Sequence, residues 1–110
     1  MMVYDEGLAD RIRDAMDGEH GVVEKRMFGG LAFLVDGHMA IAANSRGESM
    51  VHLHPDATDE LIGPHVSATV MRGRELRGWL DLAPEATASD VDLKEWVRRT
   101  VDYARSLPPK

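Results

Sequence analysis

Three polar side chains near the middle of the chain are of the types that bind metal ions. His52 and His54 are two residues apart, so on a strand they point to one face, and Asp56 follows closely. Two imidazoles on one face could begin a zinc site, with Asp56, His38 or His65 as the third ligand. One hypothesis is therefore a small-ligand or metal-binding protein, or an enzyme, that uses the polar face of His38, His52 and His54.

The same histidines also fit a solvated strand face, on which Val51 and Leu53 turn inward to the core. Zinc sites need three or four ligands, and no recognised spacing supplies the third. We favour the solvated face and expect no cofactor.

Three arginines lie close together in the second half of the chain. If Arg72 and Arg74 belong to a strand, their spacing places both on one face, and Arg77 follows. Guanidinium groups bind phosphates or a partner's carboxylates through paired hydrogen bonds. A solvated face with Glu75 as the local counter-charge is the alternative.

Aromatic side chains add candidates for contact with a partner protein. Tryptophan is common both in cores and at interface hot spots, and Trp96 fits the apolar stripe of a helix, which leaves Trp79. Met27 and Phe28 are neighbours on a strand, so one of them faces outward. The predicted partner-binding residues are Phe28, Arg72, Arg74, Arg77 and Trp79.

Composition excludes several classes of function. The 110 residues include no cysteine, which rules out a disulfide, a thiolate zinc site and a cysteine nucleophile. The net charge is −6, so direct DNA binding is the third hypothesis, since DNA-binding proteins neutralise phosphates with excess Lys and Arg. The serines lack a nucleophile-elbow context, and the acidic pairs lie at helix starts, where capping explains them. We therefore expect no enzymatic activity.

Length and hydropathy predict one cytoplasmic domain over residues 1–110. No stretch approaches the roughly 20 apolar residues that span a bilayer. The first residues lack the basic and apolar regions of a secretory signal.

Hydrophobic periodicity predicts a two-layer α+β fold with an antiparallel sheet and helices packed on one face. The last helix has the clearest apolar stripe, and Ser89 is its predicted N-cap. The predicted elements are a helix over 5–17, a first β region over 22–35, strands over 38–43 and 48–54, a short helix over 55–62, strands over 68–74 and 76–82, and a helix from 89 to 107.

Glycines mark two points in the first half of the sheet. The adjacent Gly29 and Gly30 indicate a bulge or kink within one curled strand, because no Lys-Ser/Thr follows to complete a phosphate-binding loop. Asp36 and Gly37 between apolar runs predict a two-residue hairpin turn with positive φ at both positions.

The stretch from Arg26 to Met39, with Met27-Phe28-Gly29-Gly30, an apolar strand and the Asp36-Gly37 turn, resembles the signature of the TfoX/Sxy N-terminal domain family. The segment from Trp79 to Pro84 and the helix around Trp96 are also similar to that family. The resemblance implies a two-layer fold of order α-β(3)-α-β(2)-α, the order that periodicity predicts.

The same resemblance implies a bacterial regulatory module that acts on competence genes together with a transcription factor. We therefore expect a protein partner, either a transcription factor or a polymerase component, and no direct contact with nucleic acid or membrane. The chain ends at Lys110, so we expect a stand-alone N-terminal domain without the family's C-terminal helical domain. An edge strand of the sheet could also pair across a two-fold axis to form a homodimer.

Overall fold

A computed structural model describes residues 4–27 and 29–110 of the chain. The fold is α+β, with one antiparallel six-stranded sheet of order β1-β2-β3-β4-β6-β5. The elements are α1 (Glu6–Ala15), β1 (Val22–Met27), β2 (Gly30–Val35), β3 (His38–Asn44), β4 (Ser49–His52), 3₁₀ turns at Pro55–Ala57 and Asp59–Leu61, β5 (Val66–Met71), β6 (Arg74–Leu82), a 3₁₀ turn at Pro84–Thr87, and α2 (Asp90–Ser106).

Both helices begin at side-chain caps. The Asp5 carboxylate accepts the amide N–H of Leu8 at 2.9 Å, and the Ser89 hydroxyl accepts that of Asp92 at 3.1 Å. Each cap satisfies one of the amide groups that have no partner inside the helix. The predicted N-cap at Ser89 is therefore confirmed.

The core lies between the sheet and the two helices. Alternate residues of each central strand turn toward the helices, so that Phe33, Ile41, Val51 and Leu80 form one fully buried cross-strand row. The apolar stripe of α2 packs on this row, and α1 packs against α2. The predicted fold class, with helices on one face of an antiparallel sheet, is confirmed.

The prediction of one kinked strand over 22–35 is wrong. The chain reverses there, and β1 and β2 form an antiparallel hairpin in which Met27 pairs with Gly30. Gly29 has φ +70, a left-handed conformation that glycine adopts without strain. Four strands, not three, therefore precede the 3₁₀ turns.

Two other local predictions have different outcomes. The turn at Asp36 and Gly37 is confirmed, because both residues have positive φ, at 53° and 86°. The predicted short helix over 55–62 is instead two separate 3₁₀ turns. Among the described residues, neither α1 nor α2 is long and apolar enough to cross a membrane.

Candidate interaction surface

The sheet face opposite the helices carries partly exposed apolar side chains. Since successive side chains in a strand alternate, His52 and Trp79 do not join the buried row of Val51 and Leu80, and at this end of β4 the ring of Tyr103 on α2 reaches His52. Val23, on β1, is 56% exposed. Leu34, Met39, Met50 and Trp79 are half-buried. Exposed apolar patches of this kind are typical of binding sites.

A cluster of rings holds Trp79 in place, and we call it the Trp79 cluster. His52 pairs with Trp79 across β4 and β6, and their rings stack with centroids 4.2 Å apart. Tyr103 of α2 meets His52 edge-on at 5.1 Å and lies 5.9 Å from the ring of His54. Stacked and edge-on pairs add to the stabilisation that burial gives, so the cluster joins β4, β6 and α2.

Burial lowers the pKa of His52 below its ordinary value, because the charged imidazolium loses water. The carbonyl of Met39 opposes this shift by accepting a hydrogen bond from the ring. The nearby His38 and Lys110 add a smaller effect in the same direction as burial. The neutral ring is therefore favoured in the folded protein.

Trp79 and Arg77 line a surface cleft of about 460 Å³, the Trp79 cleft, between β6 and the first two 3₁₀ turns. Ile62, 48% exposed, lines the same cleft. Arg77 is 3.4 Å from Asp56, and both side chains are more than three-quarters exposed. Such an exposed pair contributes little stability, so it can exchange for contacts with a partner.

Acidic side chains outnumber basic ones in the Trp79 cleft. Asp56, Asp59 and Glu75 line it together with the single arginine, Arg77. The surface therefore favours a basic group over a phosphate or a partner's carboxylate.

The expected arginine face does not form. Arg72 lies outside β5 and β6, in the two-residue turn between them, with φ 53°. Arg74 is the first residue of β6, paired with Met71. The prediction that Arg72 and Arg74 share a face at strand spacing is therefore wrong, since a turn residue breaks the alternation. Phe28, the fifth predicted partner-binding residue, lies outside the described residues.

The three candidate histidines lie in different surroundings. β4 ends at His52, and His54 lies beyond it, where its Nδ1 accepts the amide N–H of Asp56 at 3.0 Å. The Nε2 of His38 is 2.6 Å from the carbonyl oxygen of Pro108. Within 4–27 and 29–110, no three His, Asp or Glu side chains are grouped to hold a metal ion. Val51 and Leu53 are buried as expected, but His52 is half-buried against Trp79 and Tyr103, so the prediction of a solvated face is wrong at His52.

A second cleft, of about 450 Å³, crosses the sheet face opposite the helices. Ala42, Met50, Asp81 and Ser67 form a cross-strand row along its floor. The buried hydroxyl of Thr69 donates a hydrogen bond of 2.7 Å to the Asp81 carboxylate. We call this the Asp81 cleft, and sequence reasoning did not find it because its members come from four strands.

Sequence reasoning also missed Tyr103. Its position beside the apolar stripe of α2, one residue before Ala104, is the only signal that it faces the sheet rather than solvent. Nothing in the sequence pairs it with His52.

The architecture defines a two-layer α+β domain with an open sheet face and no metal-binding group among its described residues. Residues 14–104 match the model of the TfoX N-terminal domain, so the chain belongs to this family. Comparison with curated proteins and with solved structures gives no match.

Proposed function

We propose that this domain is a regulatory protein-interaction module that docks a protein partner at the Trp79 cleft. The supporting observation is the cleft itself, in which a tryptophan, an arginine and the exposed Ile62 meet on one surface. Tryptophan and arginine are enriched among the residues that contribute most to binding in protein interfaces.

The chemistry of the cleft defines the partner's contact. Trp79 and Ile62 offer apolar contact, and the carboxylates of Asp56, Asp59 and Glu75 favour a positive charge. The fitting contact is therefore an apolar side chain next to a lysine or arginine. The chain's net charge of −6 also attracts a basic partner surface during association.

The partner is a transcription factor or a polymerase component. The module acts on transcription in the bacterial cytoplasm. Its targets include competence genes in cells that carry them. Membership of the TfoX N-terminal domain family supports this assignment. The module works through the partner, without an activity of its own as an enzyme. Direct binding to nucleic acid is disfavoured because acidic residues exceed basic ones by 19 to 13.

The test compares two variants with matched chemistry. Ile62→Lys introduces a positive charge into the Trp79 cleft, and Val91→Lys introduces the same charge on α2, where Val91 is 78% exposed. Tagged wild-type chain and both variants are incubated with nuclease-treated lysate of the native cells, and bound proteins are identified by mass spectrometry. We expect a transcription factor or polymerase subunit to bind wild type and Val91→Lys, and to be lost with Ile62→Lys.

The recovered partner is then purified, and its affinity for the three proteins is measured by calorimetry. Ile62→Lys should weaken binding at least about tenfold, because it removes an apolar contact and places a like charge beside the partner's basic group. Thermal unfolding shows whether each variant is folded. Equal affinity of Ile62→Lys and wild type would rule out the Trp79 cleft as the docking site.

A further inference from the structure

The Asp81 cleft has an acidic end and an apolar end. Its floor is the cross-strand row of Ala42, Met50, Asp81 and Ser67, in which Asp81 lies directly between Met50 and Ser67. Residues directly opposite each other on neighbouring antiparallel strands have Cβ atoms about 5 Å apart. The Asp81 carboxylate therefore has a hydroxyl group on one side and an apolar thioether side chain on the other.

The carboxylate of Asp81 is held in one orientation and is open to a ligand. The hydroxyl of Thr69, a residue that is only 4% exposed, donates a hydrogen bond of 2.7 Å to one of its oxygens. Within the part of the chain that the structure describes, the other oxygen has no hydrogen-bond partner, and no cation forms an ion pair with Asp81. The Asp81 side chain is exposed to solvent. A fixed, accessible carboxylate of this kind favours an incoming cation.

The second carboxylate of the cleft already has its partners. Glu48 accepts hydrogen bonds from the side-chain amide of Asn44 at 2.8 Å and from the guanidinium of Arg46 at 3.0 Å, and these two contacts hold the pKa of Glu48 below its ordinary value. Among the described residues that line the cleft, Asp81 is therefore the carboxylate without a counter-charge. The cleft is matched to a ligand with one positive charge.

The acceptor groups around Asp81 fit a primary ammonium group better than a guanidinium group. An ammonium group has three N–H donors, and the free oxygen of Asp81 and the hydroxyl of Ser67 accept two of them. The ring of His65, which also lines the cleft, offers a further acceptor when it is neutral. A guanidinium binds a carboxylate best through both oxygens, and Thr69 already holds one of them.

Apolar side chains continue the cleft beyond Asp81. Met50 is half-buried on the next strand, Ala42 lies one strand further, and Met71, also in the cleft, is 42% exposed. Ala42 is two strands from Asp81, a distance of about 10 Å, so an aliphatic stem of about four to six carbons that starts at the ammonium group lies over Met50. Methionine side chains adapt their shape to such a stem, and its burial removes apolar area from water.

We propose that the Asp81 cleft binds a small aliphatic amine, whose ammonium group contacts Asp81 and Ser67 and whose stem lies over Met50 toward Ala42. The volume of the cleft, about 450 Å³, is in the range of pockets that hold whole small molecules. The proposal does not depend on the protein partner assigned to the Trp79 cleft, and its tests use the purified chain alone.

The first test titrates the isotope-labelled chain with n-pentylamine at neutral pH and follows its backbone amide resonances by NMR. The matched control is n-pentanol, which has the same stem without the charge. We expect n-pentylamine to cause saturable shifts at residues of the Asp81 cleft and n-pentanol to bind at least about tenfold more weakly, because it forms no ion pair. An absence of saturable shifts with n-pentylamine, or equal binding of the two compounds, would overturn the proposal.

Two asparagine variants change the net charge of the chain equally. Asp81→Asn removes the carboxylate but keeps an oxygen that accepts the hydrogen bond of Thr69, and Asp17→Asn removes an exposed carboxylate that does not line the cleft. We expect Asp81→Asn to weaken the binding of n-pentylamine at least about tenfold and Asp17→Asn to leave it unchanged. Equal effects of the two variants would show that only the net charge attracts the amine, and the assigned site would be wrong. Circular dichroism confirms that each variant is folded.

A second compound distinguishes a free amine from a lysine side chain of another protein. Nα-acetyl-lysine methylamide carries an ammonium group on an aliphatic stem, with peptide groups at its other end. We expect it to bind no more tightly than n-pentylamine, because the contacts of the cleft involve only the ammonium group and the stem. Tighter binding of the lysine derivative would show that the cleft recognises a lysine of a protein and would overturn the assignment to a free amine.

Discussion

At the scale of single residues, the polar side chain in the least favourable environment is that of Ser49. It lies in β4 between Ala43 and Leu82 on the helix-covered face and is 3% exposed. Its hydroxyl has no hydrogen-bond partner among the described residues. A buried hydroxyl that loses water without gaining a partner destabilises the folded state.

Replacement of Ser49 by alanine should therefore stabilise the protein. We expect Ser49→Ala to raise the free energy of unfolding by about 1 kcal/mol, because the cost of the unpaired hydroxyl disappears. Urea denaturation measures this change. The control is Ser67→Ala, since Ser67 is exposed and its replacement should change stability by less than about 0.5 kcal/mol. A loss of stability in Ser49→Ala would indicate that the hydroxyl has a bonding partner after all.

At the scale of elements, the hairpin of β1 and β2 depends on a close approach of backbones. A Cβ atom on Gly30 would collide with the carbonyl oxygen of Ala43, on the neighbouring β3. Gly30 is thus required by contact between strands and not by an unusual φ. Gly63, by contrast, has open space where a Cβ would lie.

Replacing each of these two glycines with alanine should show whether the cost comes from contact with β3 or simply from the loss of a glycine. Gly30→Ala should lower the free energy of unfolding by about 3 kcal/mol or more, because the backbone of β3 must move to admit the methyl group. Gly63→Ala should be nearly neutral. Thermal unfolding of both variants measures the difference, and similar melting temperatures would contradict the close approach of β2 and β3.

At the scale of the whole molecule, the Trp79 cluster links stability to pH. The cluster joins β4, β6 and α2 through the rings of His52, Trp79 and Tyr103. Because the pKa of His52 is lowered in the folded state, the unfolded chain binds more protons as pH falls below neutrality. Stability is therefore complete above the unfolded pKa of His, about 6.5, and declines as pH falls through the folded value.

His52→Phe should remove this decline. Phenylalanine keeps a ring against Trp79 but has no proton to bind, so the free energy of unfolding between pH 7 and 5 should become flatter than in wild type. The two curves should still fall together in stronger acid, because Arg13 lowers the pKa of Glu24, and Asn44 and Arg46 lower that of Glu48. Parallel curves between about pH 7 and 5 would show that His52 does not contribute.

The sequence correctly predicted the features that depend on residues close together along the chain. The Ser89 cap and the apolar stripe of α2 involve residues three or four positions apart, and the Asp36-Gly37 turn involves two neighbours. The sequence prediction was wrong at Gly29 and Gly30, because adjacent glycines fit both a kinked strand and a hairpin turn. Only the pairing of Met27 with Gly30, and the approach of Ala43, distinguishes the two.

The amino-acid sequence by itself determined the α+β class, the position of both helices and membership of the TfoX N-terminal domain family, because helix periodicity, caps and a family motif are all readable along the chain. The tertiary structure decided which side chains meet. Tyr103 reaches His52 from another element, and Asp81 joins a cleft built from four strands. Strand pairing connects residues distant along the chain, and local patterns carry no information about which distant residues pair.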